Sequence, residues 1–151
     1  MTMKTMAGMF LVTVFLCLAT LHVYWALGGQ FGTLATVPRV EGRRLFRPSP
    51  IGTLMVAAAL VAAAAVVAGT LGWLGPRVPA RAFRLLLFAL SLVFVLRAVG
   101  DFHYVGFFRS VGEGPFGYWD LRLYSPLCLL IAIAAFLVAW RTPAGDRPRV
   151  A

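Results

Sequence analysis

The chain has 151 residues, of which 61% are hydrophobic and 13% charged, with a mean hydropathy of +0.87. A soluble domain of this length is about half apolar and about a quarter charged, so the composition points away from a soluble domain and towards one integral membrane domain. The net charge of +9, from 13 arginines and one lysine against five acids, lies in short clusters between apolar runs rather than on a basic face. That pattern speaks against nucleic-acid binding and fits arginines that flank membrane spans and meet anionic headgroups.

The first element is an apolar run over about residues 7–27, preceded by Lys4. It lacks a small-x-small cleavage site, passing into the bulky His22-Val23-Tyr24-Trp25, and Val-Phe-Leu before Cys17 is no lipoprotein box. The run is therefore expected to be retained as a first span. A connection from Gly28 to Pro50, with prolines and four arginines, leads to an uncharged span over about 51–74. Small residues four apart in that span, Ala58/Ala62 and Ala65/Gly69, predict close helix approach and a central place in the bundle. A tight turn, Gly75 to Ala80, precedes a third span over about 82–101.

The longest connection, 102–124, is rich in aromatics, and Tyr118, Trp119 and Tyr124 suit a membrane-interface belt. Ser125-Pro126 reads as a helix start: serine caps free amides, and proline fits the first helical position. The fourth span over about 126–141 is short, since the 17 residues from Pro126 to Thr142 give about 25 Å against a hydrocarbon core of roughly 30 Å. One resolution is that it begins below the surface, with its amino end near Arg97 as at an anion site; tilted neighbours or a locally thinned bilayer equally accommodate a short helix. Residues 143–151 are expected to be a disordered tail. An open sheet edge has no partner in lipid, so the fold class is all-α, a four-helix transmembrane bundle in a single domain over 1–142.

Four alternating spans bring the end of the first, the start of the second, the end of the third and the start of the fourth to one membrane face. The unusual polar residues lie at those places. Arg97 and Asp101 stand four apart, close enough to pair on a helix, and Tyr104 continues their stripe. An unpaired intramembrane arginine is costly, and Asp101, Asp120 or backbone carbonyls are its candidate partners. The expected ligand pocket comprises His22, Trp25, Arg97, Asp101, Tyr104, Asp120, Tyr124 and Ser125. The alternative is that these charges only pair or snorkel to the headgroups.

His22 and His103 raise bis-histidine haem, which is disfavoured because His103 follows the Gly100-Asp101 break, nearer the surface, and no C-x-x-C-H site exists. Cys17 and Cys128 lie singly in different apolar runs, so they support neither a disulfide framework nor a metal site. Gly28-Gly29 and Gly112-x-Gly114 follow no strand and match no phosphate loop.

The segments His22-x-Tyr24-Trp25-Ala26-Leu27-Gly28-Gly29, Leu96-Arg97-Ala98-x-Gly100-Asp101-Phe102, Tyr104-Val105-Gly106-Phe107-Phe108 and Tyr124-Ser125-Pro126-Leu127-Cys128 resemble an uncharacterised family of small bacterial membrane proteins. The resemblance covers nearly the whole chain except the tail. It implies a four-helix membrane protein and supplies no activity, substrate or catalytic residue.

The expected function is therefore that of a multi-pass protein whose polar pocket holds a small or lipid-like ligand, with an anionic group near Arg97. The alternatives are a membrane-embedded isomerase or oxidoreductase, in which Asp101, Asp120 or His22 moves a proton, and a structural or accessory subunit. No cofactor is assigned. The expected partners are the lipid bilayer and such a ligand, with homo-oligomerisation left open. The expected location is the bacterial cytoplasmic (inner) membrane. Seven basic residues on the side of the termini against six on the other lean towards cytoplasmic termini.

Overall fold

The structure is a computed structural model describing residues 1–40, 43–75, 79–110 and 114–143. Four helices dominate it: α1 (Met3–Ala26), α2 (Pro50–Thr70), α3 (Ala80–Val99) and α4 (Pro115–Trp140), each long and apolar enough to cross a membrane. The chain is a four-helix transmembrane bundle. Between α1 and α2 lie a 3₁₀ turn, Thr33–Ala35, and a two-residue antiparallel ribbon, β1 (Arg39–Val40) with β2 (Arg43–Arg44), pairing Arg39 with Arg44. The expected tail lies outside the described residues from 144 onward, as does the centre of the turn after α2.

Helix boundaries follow local chemistry. Thr2 Oγ1 accepts the Thr5 amide at 3.2 Å to start α1, and Ser49 Oγ accepts the Gly52 amide at 3.0 Å ahead of Pro50 at the start of α2. Gly100 ends α3 with φ +90° and ψ −170°, a region essentially reserved for glycine.

The start of α4 departs from the sequence expectation. Its first turn runs from Pro115 to Trp119, a π turn follows over Asp120–Tyr124, and the α-helix resumes at Ser125. Ser125 is thus inside the helix, its amide donating to the Asp120 carbonyl five residues back. Pro126 has no amide to give, and in a regular helix its ring would meet the Arg122 carbonyl; the wider turn accommodates it. With 26 residues the element is about 39 Å long, so it is not short, and its amino end lies at Pro115 and not at Ser125-Pro126.

α1 packs mainly on α2, and α3 mainly on α4; the two hairpins join along α1–α4 and α2–α3. Leu11 and Phe15 of α1, Val67 of α2, Leu87 of α3, and Ile131, Ala135 and Val138 of α4 form the core, each fully buried. Outward faces are equally apolar: Leu86, Leu92, Val93 and Leu96 are exposed on α3 alone, a surface that suits lipid rather than water.

The central helix is α4, not α2. In its most apolar stretch 39% of residues are buried, against 22% in α2. On α2 the buried small residues are Ala57, Ala63, Ala64 and Gly69, whereas Ala58 and Ala62 face outward. The Phe83 ring lies against Gly69, where any Cβ would overlap it.

Inside the bundle Ser91 Oγ donates to the Ala132 carbonyl at 2.8 Å, tying α3 to α4. Side-chain hydrogen bonds between membrane helices contribute about 0.6 kcal/mol on average. Ser91→Ala is therefore expected to cost about that much in a detergent-unfolding titration, a small effect set beside those at Asp120.

Candidate functional site

Asp120 lies in the π turn of α4, with no exposed side-chain surface. Its Oδ1 accepts Arg97 Nη2 from α3 at 2.9 Å, and its Oδ2 accepts the Gly106 amide at 2.7 Å. Arg109 Nη1 stands 3.7 Å from Oδ2, while Arg109 Nη2 donates to the Gly117 carbonyl at 2.6 Å. One carboxylate thus fastens α3, the α3–α4 loop and the first turns of α4. Arg97 keeps 34% of its side-chain surface exposed and Arg109 13%, so the cluster has an exposed edge. Arg97 Nη1 and Ser125 Oγ are buried with no hydrogen-bond partner among the described residues.

The loop after α3 explains why Arg97 pairs with Asp120 and not with Asp101. Helix α3 stops at Val99, so Asp101 is not on its surface four residues beyond Arg97. Instead, Asp101 Oδ1 accepts the amides of His103 (2.9 Å), Tyr104 (2.7 Å) and Val105 (2.9 Å). The Val105 carbonyl accepts the Asp101 amide at 3.2 Å, and the Phe107 amide returns to the Ala98 carbonyl at 2.9 Å. Gly100 and Gly106 meet where the loop crosses itself, leaving no space for a Cβ on either.

The three amides, His103's foremost, hold the Asp101 carboxyl below its ordinary value against an opposing effect of burial. A carboxyl with a lowered folded pKa contributes stability that is complete above its unfolded value and is lost as pH falls through the folded value. Amide-exchange protection at residues 103–105 is accordingly expected to fall on acidification below the ordinary carboxylate range, and Asp101→Asn to flatten that dependence.

A separate cleft of about 420 Å³ lies between the end of α1, the start of α2 and the loop joining them. His22, Trp25, Thr33, Thr36, Arg44 and Thr53 supply its polar side chains; Val37, Phe46, Pro48 and Val56 supply apolar wall. His22 Nδ1 lies 2.7 Å from the Leu18 carbonyl, and its ring stands edge-on to Trp25 with centroids 5.2 Å apart. Trp25 Nε1 donates to the Phe31 carbonyl at 2.9 Å, which folds the loop back over the helix end. The first turn of α4 touches the 3₁₀ turn that carries Thr33, so the Asp120 cluster and the cleft wall meet at one end of the bundle.

The eight residues expected in one pocket are thus divided. His22 and Trp25 line the cleft; Arg97 and Asp120 form an ion pair; Asp101 organises an exposed turn. Tyr104 stacks edge-on with His103 at 4.4 Å, Tyr124 lies 6.2 Å from the Phe116 ring, and Ser125 is buried inside α4. His103 Nδ1 lies 3.2 Å from Ser110 Oγ in the α3–α4 loop, away from the α1–α2 cleft that holds His22. No three metal-ligating side chains cluster among the described residues.

Sequence reasoning missed Arg109 and the loop residues of the cleft. The shortage of acids beside so many arginines was the available signal for the first. For the second there were only two threonines, Thr33 and Thr36, after a Gly-Gly turn.

Four helices of this length and hydropathy, closed at one end by a buried ion pair, define a small multi-pass membrane protein. The chain belongs to the family described as protein of unknown function DUF3995, whose model matches residues 15–135, from within α1 into α4. No curated protein and no solved structure matches it.

Proposed function

We propose that this is a membrane-embedded binding protein that holds one lipid-like molecule in the α1–α2 cleft. The supporting observation is the cleft itself: a concave volume of about 420 Å³ at the helix ends, with apolar walls, a few polar groups and one cation, Arg44, from the loop. Ligand pockets fall in the range of about 300–1,000 Å³ with this mixture of lining. Helix ends of a transmembrane bundle lie where headgroups lie, so an amphipathic molecule can enter sideways from the bilayer. The Asp120 cluster is read as the clamp that holds the loops in place, which gives Arg97 and Asp120 a structural role beside the binding site.

The location proposed is the bacterial cytoplasmic membrane with both termini in the cytoplasm, supported by the excess of one basic residue on the terminal side. The cleft then opens towards the outer leaflet.

Val56, on the cleft wall and 46% exposed, is the place to test the reading. Val56→Trp fills the cleft without touching the bundle core. Native mass spectrometry of the gently extracted protein is expected to show one retained lipid per chain, lost in Val56→Trp at unchanged folded yield. Equal retention by both proteins contradicts the proposal.

A further inference from the structure

From the hydrogen-bonding capacity left on the cleft wall we infer that the ligand is an anionic lipid of the bilayer whose headgroup carries free hydroxyls, a phosphodiester of glycerol type. This rests on the binding reading above and specifies its substrate class. Among the described residues, each side-chain donor lining the cleft except Arg44 is already engaged locally. Thr33 Oγ1 donates to the Gln30 carbonyl at 3.0 Å, Thr36 Oγ1 to the Thr33 carbonyl at 3.0 Å, and Thr53 Oγ1 to the Ser49 carbonyl at 2.9 Å. Trp25 Nε1 is held by the Phe31 carbonyl, and Gly29 and Gly52 amides by the Tyr24 carbonyl and Ser49 Oγ.

His22 completes the pattern. A carbonyl oxygen only accepts, so the ring nitrogen 2.7 Å from Leu18 O carries the hydrogen. In the neutral imidazole this leaves Nε2 with a lone pair, an acceptor. Each threonine oxygen likewise keeps accepting capacity after donating its own hydrogen. The side chains of the lining residues therefore keep accepting capacity at His22, Thr33, Thr36 and Thr53, and one charged donor fork at Arg44.

A ligand that complements this wall donates hydrogen bonds at its polar end and carries one anionic group for Arg44. Headgroup hydroxyls supply the donors, a phosphodiester the charge, and the acyl chains the contact with Val37, Phe46 and Val56. A headgroup with only acceptors would leave the wall's lone pairs facing its own, an unfavourable match.

The experiment offers the full-length protein, in lipid nanodiscs, equimolar phosphatidylglycerol and phosphatidylmethanol with identical acyl chains. Both carry one phosphodiester charge; only the first has headgroup hydroxyls. Native mass spectrometry is expected to show phosphatidylglycerol retained roughly tenfold over phosphatidylmethanol, the ratio that one or two hydrogen bonds supply. His22→Phe, which gives up only a bond within its own helix, should cut that preference to about threefold or less; Thr36→Val provides a second, independent reduction. Arg44→Gln should weaken both anionic lipids alike relative to phosphatidylcholine. Equal retention of the two anionic lipids, still displaced by Val56→Trp, overturns the inference and leaves the binding reading standing. Retention insensitive to Val56→Trp overturns both.

Discussion

Asp120→Ala is expected to be the most damaging substitution in the chain, lowering stability by about 3–5 kcal/mol, the range for removing one partner of a buried ion pair. The carboxylate, itself on α4, is wholly buried and holds three groups from two other segments: Arg97 Nη2 of α3, and the Gly106 amide and, at longer range, Arg109 of the α3–α4 loop. Its loss leaves two guanidinium groups facing each other without a counter-charge. Arg97→Ala should cost less, because the Arg97 side chain is one-third exposed and Asp120 keeps its other partners. The double variant should cost less than the sum of the two single effects, since each removes the same contact. Unfolding titrations in detergent, run as a double-mutant cycle, measure that shared part directly. A sum that is simply additive would show that the pair contributes nothing.

The second large effect is expected at the loop crossing. Gly100→Ala and Gly106→Ala each place a Cβ into backbone: at Gly100 it meets the Val105 carbonyl, and at Gly106 the Val99 carbonyl and the Gly100 Cα. Both residues also sit at positive φ, +90° and +92°. Strain at such a position costs about 1–3 kcal/mol for a residue other than glycine, and the overlap adds to it because no flexible side chain can move aside. Gly72→Ala is the matched control, with φ +84° and no atom near the added Cβ. Its cost should be the backbone strain alone. Thermal unfolding of the three variants should rank Gly100 and Gly106 together, well below Gly72; three equal shifts would refute the crossing.

These two clusters also mark where the sequence could and could not be read. All four helices are visible in hydropathy because lipid demands an unbroken apolar run; what hydropathy does not show is that the fourth starts at Pro115 and not at Pro126. The face each helix buries was not visible. α2 is apolar all round, so nothing in its pattern distinguishes the outward Ala58 and Ala62 from the buried Ala63 and Ala64. The pair Ser-Pro occurs twice with opposite outcomes: Ser49-Pro50 caps α2, while Ser125-Pro126 sits within α4 after a π turn. Local propensity for a helix start is the same in both. The difference lies upstream: Pro115 starts a helical turn locally, and Asp120 ties that turn to Arg97 and Gly106 through tertiary contacts.

The site was legible in its ingredients and not in its geometry. Convergence of polar residues on one end follows from alternating spans, and Asp120 was among the candidate partners of Arg97. The i,i+4 pairing with Asp101 assumed a helix that Gly100 ends. The cleft lies in a loop whose fold depends on Trp25 and Tyr24 reaching forward to Phe31, contacts with no periodicity to betray them.

The lipid content of folded Arg97→Gln tests most directly whether the structural clamp and the proposed binding cleft are separate. Asp120 remains held by Gly106 and Arg109 in this variant, so native mass spectrometry should still count one bound lipid per chain, as in the unaltered protein. Folded Arg97→Gln that has lost its lipid would place Arg97 in the binding site and contradict the division.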